Sequence, residues 1–359
     1  MQGLPAVGAN KCAGECALRN THAFCPGSTE LGKRAYERWV SPTVRRDTCE
    51  LWFTARRMGN ALAPAIMALW PPLKKPRQER SNRMLRYDLH CHSTHSDGLL
   101  VPTEVVRRAA SRGVDVLALT DHDEVAGLEE AREAARGTSL TLVNGAELSV
   151  SWNDVTIHVV ALRIDPTNAK LLSGLEAIRT GRESRGQRIA EALHAAGIPG
   201  AWEGALRHVT NERLLSRTHF ARFLVEAGHA RDVKDVFSRY LTPGLPGHVR
   251  HDWATLPDAI DWIHSAGGDA VLAHPGRYKV TPSELTQLIG DFRDAGGDAL
   301  EVLSPSHSAA QVTQFASLAR VHGLRGSMGS DYHGPGESLL DLGDLPPLPA
   351  GVTPVWTTW

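Results

Sequence analysis

Residues 114–123 read VDVLALTDHD, and this stretch decides the fold class. Its first part, Val114–Thr120, is almost entirely apolar, which is typical of a strand buried on both faces in a parallel sheet. Three ionisable residues follow immediately: Asp121, His122 and Asp123. A buried strand that ends in such groups predicts an α/β protein whose chemistry lies at the carboxyl ends of its strands.

The alternation of apolar strands with amphipathic stretches runs from Leu85 to the end of the chain. Helices are predicted at Pro102–Arg112 and Leu128–Arg136. The other strands are predicted at Arg86–His90, Leu140–Asn144, Thr156–Leu162, Ala270–Ala273, Ala299–Leu303 and Leu324–Met328. Strands that alternate with helices imply right-handed parallel units, and about seven of them predict a closed or nearly closed barrel.

Residues 168–248 interrupt this alternation, because their pattern is mostly helical and contains no strong strand. They are also rich in arginine, including Arg182, Arg185, Arg188 and Arg217. We therefore expect a small helical insertion that lies over the mouth of the barrel.

The composition excludes several classes of protein. With 42% hydrophobic and 22% charged residues, the 359-residue chain has a globular composition rather than a disordered or membrane one. The net charge of −1 excludes a protein that binds nucleic acid through its overall charge.

The charge is uneven, since residues 1–83 contain 14 Lys+Arg and 6 Asp+Glu, whereas residues 84–359 contain 25 Lys+Arg and 34 Asp+Glu. Residues 1–83 lack any sustained period, so we predict a poorly ordered basic extension before one globular domain at residues 84–359.

The extension contains two motifs that have alternative interpretations. Cys12, Cys16, His22 and Cys25 resemble a zinc knuckle, but their irregular spacing and the lack of an apolar framework argue against a zinc site. The basic run at residues 74–83 favours a solvated linker over an RNA contact. Met84 directly precedes the first predicted strand and is a second candidate for the translation start.

The cysteines and the apolar segments indicate the compartment. Four of the five cysteines lie within the first 49 residues, so no disulfide framework is indicated. The sequence shows neither a secretory signal nor a stretch apolar enough to span a membrane. We therefore expect a reducing, cytoplasmic location.

Histidines and carboxylates recur at the ends of the predicted strands. They are His90, His92, Asp97, Asp121, His122, Asp123, Glu147, His158, His274, Glu301, Asp331 and His333. In a parallel barrel, residues after the carboxyl ends of the strands converge on one face. The sequence therefore predicts a single site to which at least six strands contribute.

This set indicates bound metal ions rather than isolated core histidines. His90 and His92 are two residues apart in an extended segment, so their side chains lie on one face, and Asp331 and His333 repeat that spacing. Neutral imidazoles mixed with carboxylates suit Zn²⁺, Mn²⁺ or Fe²⁺. Burying this many carboxylates without compensation would be prohibitive, and two or three divalent cations would neutralise them.

Six short motifs contain most of these residues. They are Asp88-Leu-His-Cys-His-Ser, Ser96-Asp-Gly, Leu119-Thr-Asp-His-Asp, Gly145-Ala-Glu, Ala273-His-Pro-Gly and Gly329-Ser-Asp-Tyr-His-Gly. The set resembles the PHP (polymerase and histidinol phosphatase) family of phosphoesterases, in particular its branch of nucleoside 3′,5′-bisphosphate phosphatases and 5′–3′ exoribonucleases. The resemblance covers residues from about Met84 to the end. It implies a distorted (β/α)7 barrel with a trinuclear metal centre.

The resemblance also implies a role for each matching residue. One metal would be held by His90, His92, Glu147 and Asp331, a second by Glu147, His158 and His274, and a third by Asp97, His122 and His333. Catalytic roles are implied for His90, His92, Asp97, Glu147 and Asp331, and substrate contacts for Asp97 and His122. Arg182-Glu-Ser-Arg185 and Arg217-Thr-His-Phe-Ala match the family residues that bind the distal phosphate of the substrate.

The implied reaction is metal-dependent hydrolysis of the 5′-phosphate of nucleoside 3′,5′-bisphosphates, or of 5′-phosphorylated short RNA in the 5′–3′ direction, by a metal-activated hydroxide.

Three functions are alternatives to this one. A histidinol-phosphatase-like phosphomonoesterase is the first alternative, but a substrate with one phosphate does not need the arginines that bind a second phosphate. A non-catalytic nucleic-acid-binding regulator is the second, and the complete ligand set argues against it. An amidohydrolase also begins with His-x-His, but no strand-end lysine is evident. The expected partner is a nucleotide or short RNA, with neither a membrane nor an obligate protein partner.

Overall fold

The computed structural model describes residues 84–359. The predicted basic extension at residues 1–83 lies outside the described residues, and so do its cysteine motif and its basic run. Within the described part of the chain, strands alternate with helices, and this confirms the α/β class.

The strands form one sheet that curves into a nearly closed barrel. They are β1 Tyr87–Asp88, β2 Val116–Leu119, β3 Thr141–Trp152, β4 Val155–Leu162, β5 Ala254–Thr255, β6 Asp269–Leu272, β7 Ala299–Leu303 and β8 Arg325–Met328. Their order is β1-β2-β3-β4-β6-β7-β8, and β5 pairs with β3. The two ends of this order meet, because the Leu89 amide donates to the Met328 carbonyl at an N–O distance of 3.0 Å. The predicted barrel is confirmed.

The prediction that the barrel strands are all parallel is wrong for β4. This strand pairs antiparallel with both β3 and β6, whereas the pairs β1–β2, β2–β3, β6–β7 and β7–β8 are parallel. The chain turns from β3 into β4 at Asn153 and Asp154, whose φ angles are 42° and 66°. Asn and Asp tolerate this left-handed conformation, and two such residues in succession close a tight hairpin. A hairpin therefore replaces the expected strand–helix–strand unit.

The two helices predicted with bounds, Pro102–Arg112 and Leu128–Arg136, begin and end at or within one residue of the predicted positions. The structure contains ten α-helices within residues 84–359. They are α1 Pro102–Ser111, α2 Leu128–Arg136, α3 Ala169–Thr180, α4 Arg182–Ala195, α5 Ala201–Leu206, α6 Arg217–Glu226, α7 Val233–Val236, α8 Leu256–Ser265, α9 Pro282–Asp294 and α10 Ala309–Val321. Helix α9 begins with a capping box between Thr281 and Glu284, which satisfies backbone N–H groups of its first turn. No helix within residues 84–359 is long and apolar enough to cross a membrane.

Two hydrophobic clusters hold the barrel together. The barrel interior contains alternate strand residues, among them Leu89, Val116, Val160 and Val271. A larger cluster joins the outer face of the sheet to the helices around it, and it includes Leu272, Val302, Ile263, Phe292 and Phe315. The barrel is thus filled with side chains, which leaves its polar groups at the carboxyl ends of the strands.

Helices α3–α7 lie between β4 and β5 in the chain, as the helical pattern of residues 168–248 predicts. The apolar faces of α4–α7 and the segment that follows them form a further cluster that includes Ile189, Leu193, Phe220, Leu224 and Leu241. Helix α3 packs on the barrel instead, because its Leu171, Leu175 and Ile178 belong to the cluster on the outer face of the sheet. The helical character of this segment is therefore confirmed, while its existence as a separate insertion domain stays a prediction.

Candidate metal centre

The structure brings all nine predicted metal ligands together. His90 and His92 follow β1, His122 follows β2, His274 follows β6, and Asp331 and His333 follow β8. Their ligand atoms form four overlapping groups, each within 4.8 Å: His92, Asp97, His122 and His333; His90, Glu147 and His274; His90, His92 and Asp331; and His122, Glu147 and His158. This clustering is what a site for several cations requires.

Glu147 and His158 reach the site from within strands rather than from strand ends. Glu147 lies in the middle of β3, so the prediction that it follows a strand ending at Asn144 is wrong. In the antiparallel register, Ser149 is opposite His158, and Glu147 is two residues before Ser149 on the same face. The β3–β4 hairpin therefore places both side chains over the barrel end.

Glu147 is the central group of the site. Its Oε2 atom lies 3.0 Å from His122 Nδ1, 3.2 Å from His90 Nε2 and 3.3 Å from His92 Nε2. Its Oε1 atom lies 2.9 Å from His158 Nδ1 and 3.0 Å from His274 Nε2. Five imidazole nitrogens thus surround one fully buried carboxylate.

Hydrogen bonds at the far side of two rings fix their tautomers. His90 Nδ1 lies 3.1 Å from Glu301 Oε1, and His333 Nδ1 lies 2.9 Å from the Asp331 carbonyl oxygen. A carbonyl or carboxylate oxygen can only accept, so the Nδ1 atoms carry the protons and the Nε2 atoms present lone pairs to the site. This arrangement is typical of histidines that bind a metal through Nε2.

The electrostatics keep the carboxylates ionised. Burial alone would raise the pKa of the Glu147 carboxyl, but the surrounding imidazoles of His158, His90 and His122 outweigh it and hold that pKa well below its usual range. Burial likewise opposes ionisation of Asp97, and His122 and His333 hold its pKa well below the ordinary value. Burial, reinforced by Arg277, lowers the pKa of His274 to about 4, so its imidazole is neutral at neutral pH.

Several buried polar atoms have no hydrogen-bond partner within residues 84–359. They include His92 Nδ1, Asp97 Oδ1, His122 Nδ1, Glu147 Oε2 and His274 Nδ1. Buried polar atoms are nearly always hydrogen-bonded, so this concentration at one place requires an explanation. A mixed set of imidazoles and carboxylates that face one another without hydrogen-bond geometry suits divalent cations such as Zn²⁺, Mn²⁺ or Fe²⁺. The residues therefore fit bound metal ions.

Three further carboxylates form hydrogen bonds with the segments that carry the ligands. Asp121 accepts hydrogen bonds from the Ser93 amide at 2.7 Å and from the Ser96 hydroxyl at 2.6 Å, and so fixes the loop that carries Asp97. Asp123 accepts from the Ser149 amide at 2.7 Å. Glu301 also accepts from the His274 amide at 2.6 Å, in addition to its contact with His90.

The backbone at the site is unusual at four positions. Gly329 precedes the last ligand pair, and a Cβ atom there would lie 2.1 Å from His90 Cβ, so only glycine fits. Asp123, His274 and Asp331 have backbone φ angles of 51°, 26° and 47°. These values lie in the left-handed region, which residues other than glycine adopt uncommonly. All three lie two to four residues after the carboxyl end of a barrel strand.

A cavity beside the metal-binding groups is lined by four arginines. They are Arg182, Arg185, Arg217 and Arg277, together with Asp97, His122, His158 and His333 among others. The first three were predicted substrate residues, and the structure brings them to one cavity. Arg277 was not predicted, although it stands three residues after His274; it forms an ion pair with Asp331 at 2.5 Å.

Two of these arginines have no carboxylate partner in the described part of the chain. Arg185 donates to the Val249 carbonyl at 3.3 Å, and Arg217 donates to the Leu241 carbonyl at 3.4 Å. Burial and the neighbouring arginines lower the pKa of Arg185 well below its usual range and that of Arg217 to about 10. Guanidinium groups stay protonated in proteins, so the cavity has unneutralised positive charge and suits an anion.

Aromatic rings and one carboxylate hold these guanidinium groups in place. Arg182 and Arg185 lie over the Trp253 ring, 5.0 and 5.2 Å from its centroid. Arg182 differs from Arg185 because it also pairs with the buried Asp123 carboxylate and donates to the Ser149 hydroxyl at 3.1 Å. A role for Trp253 was not predicted from the sequence, because a tryptophan 68 residues after Arg185 gives no local signal that the two side chains are in contact.

Comparisons with known proteins identify the relatives of this chain. The PHP domain family matches residues 88–242. The 3′,5′-nucleoside bisphosphate phosphatase of Chromobacterium violaceum is 50% identical over 273 residues, which are 76% of this chain and 96% of that protein. The 5′-3′ exoribonuclease Rnm of Salmonella typhimurium is 47% identical over 281 residues, 78% of this chain and 95% of that protein. One solved structure that resembles this chain is that of an amidohydrolase from Chromobacterium violaceum, with bound sulfate and no metal. Its TM-score to this chain is 0.74 and its sequence is 49% identical. The match covers 76% of this chain and 95% of the amidohydrolase.

The barrel and its cluster of histidines and carboxylates define a metal-dependent hydrolase of phosphate esters. Relatives that are about half identical over nearly their whole length share this fold and bear the names of a phosphatase and an exoribonuclease. The chain belongs to the PHP family of phosphoesterases, as its motifs predict.

Proposed function

We propose that this phosphoesterase removes the 5′-phosphate of nucleoside 3′,5′-bisphosphates, and that it degrades 5′-phosphorylated short RNA in the 5′–3′ direction by hydrolysing the phosphodiester bond that follows the first nucleotide. The observation that carries the proposal is the cavity that joins the buried Arg185 and the half-buried Arg217, both free of carboxylate partners within residues 84–359, to the metal-binding groups. Only a substrate with a second phosphate uses both parts of that cavity. The names of the two relatives support this reading.

We infer that three divalent cations per chain, Mn²⁺, Zn²⁺ or Fe²⁺, are held by the clustered ligands. His90, His92, Glu147 and Asp331 would hold one, Glu147, His158 and His274 a second, and Asp97, His122 and His333 a third. When bound, such ions supply Lewis acidity and an activated water nucleophile. Glu301 keeps the Nε2 lone pair of His90 available through its contact with Nδ1.

The arginines would orient the substrate by its non-reacting phosphate. A guanidinium group offers a planar fork of donors that matches two phosphate oxygens. With a bisphosphate, Arg185 and Arg217 would bind the 3′-phosphate, while Asp97 and His122 contact the reacting 5′-phosphate between the cavity and the metals. With RNA, the same clamp would bind the terminal 5′-phosphate, and the phosphodiester bond that follows the first nucleotide would react.

The decisive experiment compares phosphate release from adenosine 3′,5′-bisphosphate with release from AMP, with metal analysis of the same sample. We expect the bisphosphate to be preferred by at least about ten- to hundredfold in kcat/KM, because AMP lacks the 3′-phosphate, and each charge-assisted hydrogen bond to that phosphate contributes roughly 1.5–3 kcal/mol. The product should be adenosine 3′-phosphate. Equal efficiencies, or release of the 3′-phosphate instead, would contradict the proposal.

A further prediction concerns the basic extension at residues 1–83. We expect a chain that begins at Met84 to fold and to hydrolyse a mononucleotide as fast as the full chain, since the ligand groups and the arginine cavity lie wholly within residues 84–359. Circular dichroism and the rate of phosphate release would check this. An insoluble or inactive shortened chain would show that the extension contributes to folding or to the site.

A further inference from the structure

Arg222, in helix α6, contacts three segments of the chain at once. Its guanidinium group forms a two-point ion pair with Glu337, with N–O distances of 2.9 and 2.8 Å. Its Nη2 atom also donates to the main-chain carbonyl of Asp97 at 2.5 Å. The side chain is buried, with 8% exposed. Arg222 therefore links α6, the loop of Asp97 and the turn that follows His333.

Helix α6 fixes the side chain of Asp97 as well as its backbone. Ser216, the N-cap residue of α6, donates from its hydroxyl to Asp97 Oδ2 at 3.0 Å. The other oxygen, Oδ1, has no hydrogen-bond partner within residues 84–359 and lies 3.4 Å from His333 Nε2 and 3.9 Å from His122 Nε2. The helix thus holds one oxygen of Asp97 and leaves the other directed at the group of Asp97, His122 and His333.

The Glu337 end of the ion pair lies in the turn that carries His333. The Glu337 amide donates to the Gly334 carbonyl at 3.3 Å, and the His333 amide donates to the Ser338 hydroxyl at 2.7 Å. The His333 carbonyl accepts from the Leu99 amide at 2.6 Å, which connects this turn to the loop of Asp97. Two of the three ligands in this group are therefore fixed relative to one another through Arg222.

We propose that Arg222 is a positioning residue for the cation bound by Asp97, His122 and His333, and that it makes the affinity of that cation depend on the placement of helix α6. The inference rests on the ligand set of the proposed function. Partners that orient metal ligands from behind typically change metal affinity by about 10- to 100-fold. The planar fork is essential, because an ammonium group cannot bind both Glu337 oxygens and the Asp97 carbonyl together.

The test is Mn²⁺ binding by the full chain after removal of its metals. Wild type, Arg222→Gln and Arg222→Lys are dialysed against a series of Mn²⁺ concentrations, and bound metal per chain is measured by mass spectrometry. In Arg222→Gln, we expect one equivalent of Mn²⁺ to bind about 10- to 100-fold more weakly while the others bind as in wild type. Arg222→Lys should give a smaller loss. A binding curve identical to wild type, or a loss spread equally over all equivalents, would overturn the inference.

Three further variants make the result specific. Arg325→Gln is a matched control, because Arg325 pairs with Asp269 and Asp298 at the amino end of β8, and it should bind Mn²⁺ as wild type does. If Arg222→Gln fails to fold, Glu337→Gln removes the other end of the same ion pair at a less buried position, and it should weaken the same equivalent. A wild-type curve for Glu337→Gln would count against the inference.

Asp97→Asn separates failure of this inference from failure of the proposed ligand set. If Asp97→Asn binds Mn²⁺ as wild type does, Asp97 is not a ligand, and the ligand set and the inference both fail. If Asp97→Asn loses one equivalent while Arg222→Gln loses none, only the positioning role of Arg222 is overturned. Loss of the same equivalent in both variants supports the inference.

Discussion

Glu147→Gln is expected to abolish turnover and to lower the bound metal. The carboxylate is fully buried and is surrounded by five imidazole nitrogens at 2.9–3.3 Å. It would therefore contact both the cation held with His90 and His92 and the cation held with His158 and His274. The amide has the same shape but no charge, and it places an N–H₂ donor against histidines. We expect kcat/KM to fall about a thousandfold or more, equivalent to ~4 kcal/mol of transition-state stabilisation.

The measurement for Glu147→Gln is phosphate release together with metal content in one sample. Glu133→Gln is a suitable control, because Glu133 lies on the exposed face of α2 and pairs only with Arg136 among the described residues. This control should retain wild-type activity and metal. Full activity and unchanged metal content in Glu147→Gln would show that the carboxylate is not a bridging ligand.

Arg217→Ala should reduce kcat/KM for adenosine 3′,5′-bisphosphate by about ten- to hundredfold, because one charge-assisted hydrogen bond contributes roughly 1.5–3 kcal/mol. Such remote binding energy can be used at the reacting phosphate, so kcat should fall together with the efficiency. The loss with AMP should be much smaller, because AMP has no 3′-phosphate. Arg217→Lys should restore only part of the activity, since an ammonium group lacks the planar fork.

The same matrix of variants and substrates separates the three arginines. Arg185→Ala should behave like Arg217→Ala, since neither guanidinium has a carboxylate partner in the described chain. Arg182→Ala should be less selective, because it also leaves the buried Asp123 carboxylate without its cation. Arg188→Ala, an exposed position on the same helix, should match wild type. An equal drop on AMP and bisphosphate for Arg217→Ala would place these arginines in the scaffold rather than in substrate binding.

The strand-end ligands could be predicted from the sequence because each lies in a local motif. His90, His92, His122 and His274 follow short apolar runs, and convergence at one end of a barrel is a property of the architecture. The family resemblance added the division into three cation sites and the arginine clamp. Neither of these could be obtained from spacing alone.

What the sequence could not supply are contacts between distant segments. Arg222 reaches Glu337 across 115 residues, and Arg277 reaches Asp331 across 54, with no pattern that pairs them in advance. The antiparallel β4 was missed for a different reason. Its apolar run resembles a parallel strand, and the direction is decided by the short turn at Asn153 and Asp154, which strand periodicity does not report.

The left-handed backbone at Asp123, His274 and Asp331 lowers the free energy of unfolding of the domain. A non-glycine residue in this conformation costs up to about 1–3 kcal/mol, and less where it is Asp, so the three residues together use part of the roughly 5–15 kcal/mol by which a domain is stable. Glycine at any of them would relax the backbone and at the same time delete a ligand or its support. A glycine at any of these three positions is therefore expected to trade activity for stability, so a search for more thermostable variants that ignored activity would find candidates at these strand ends.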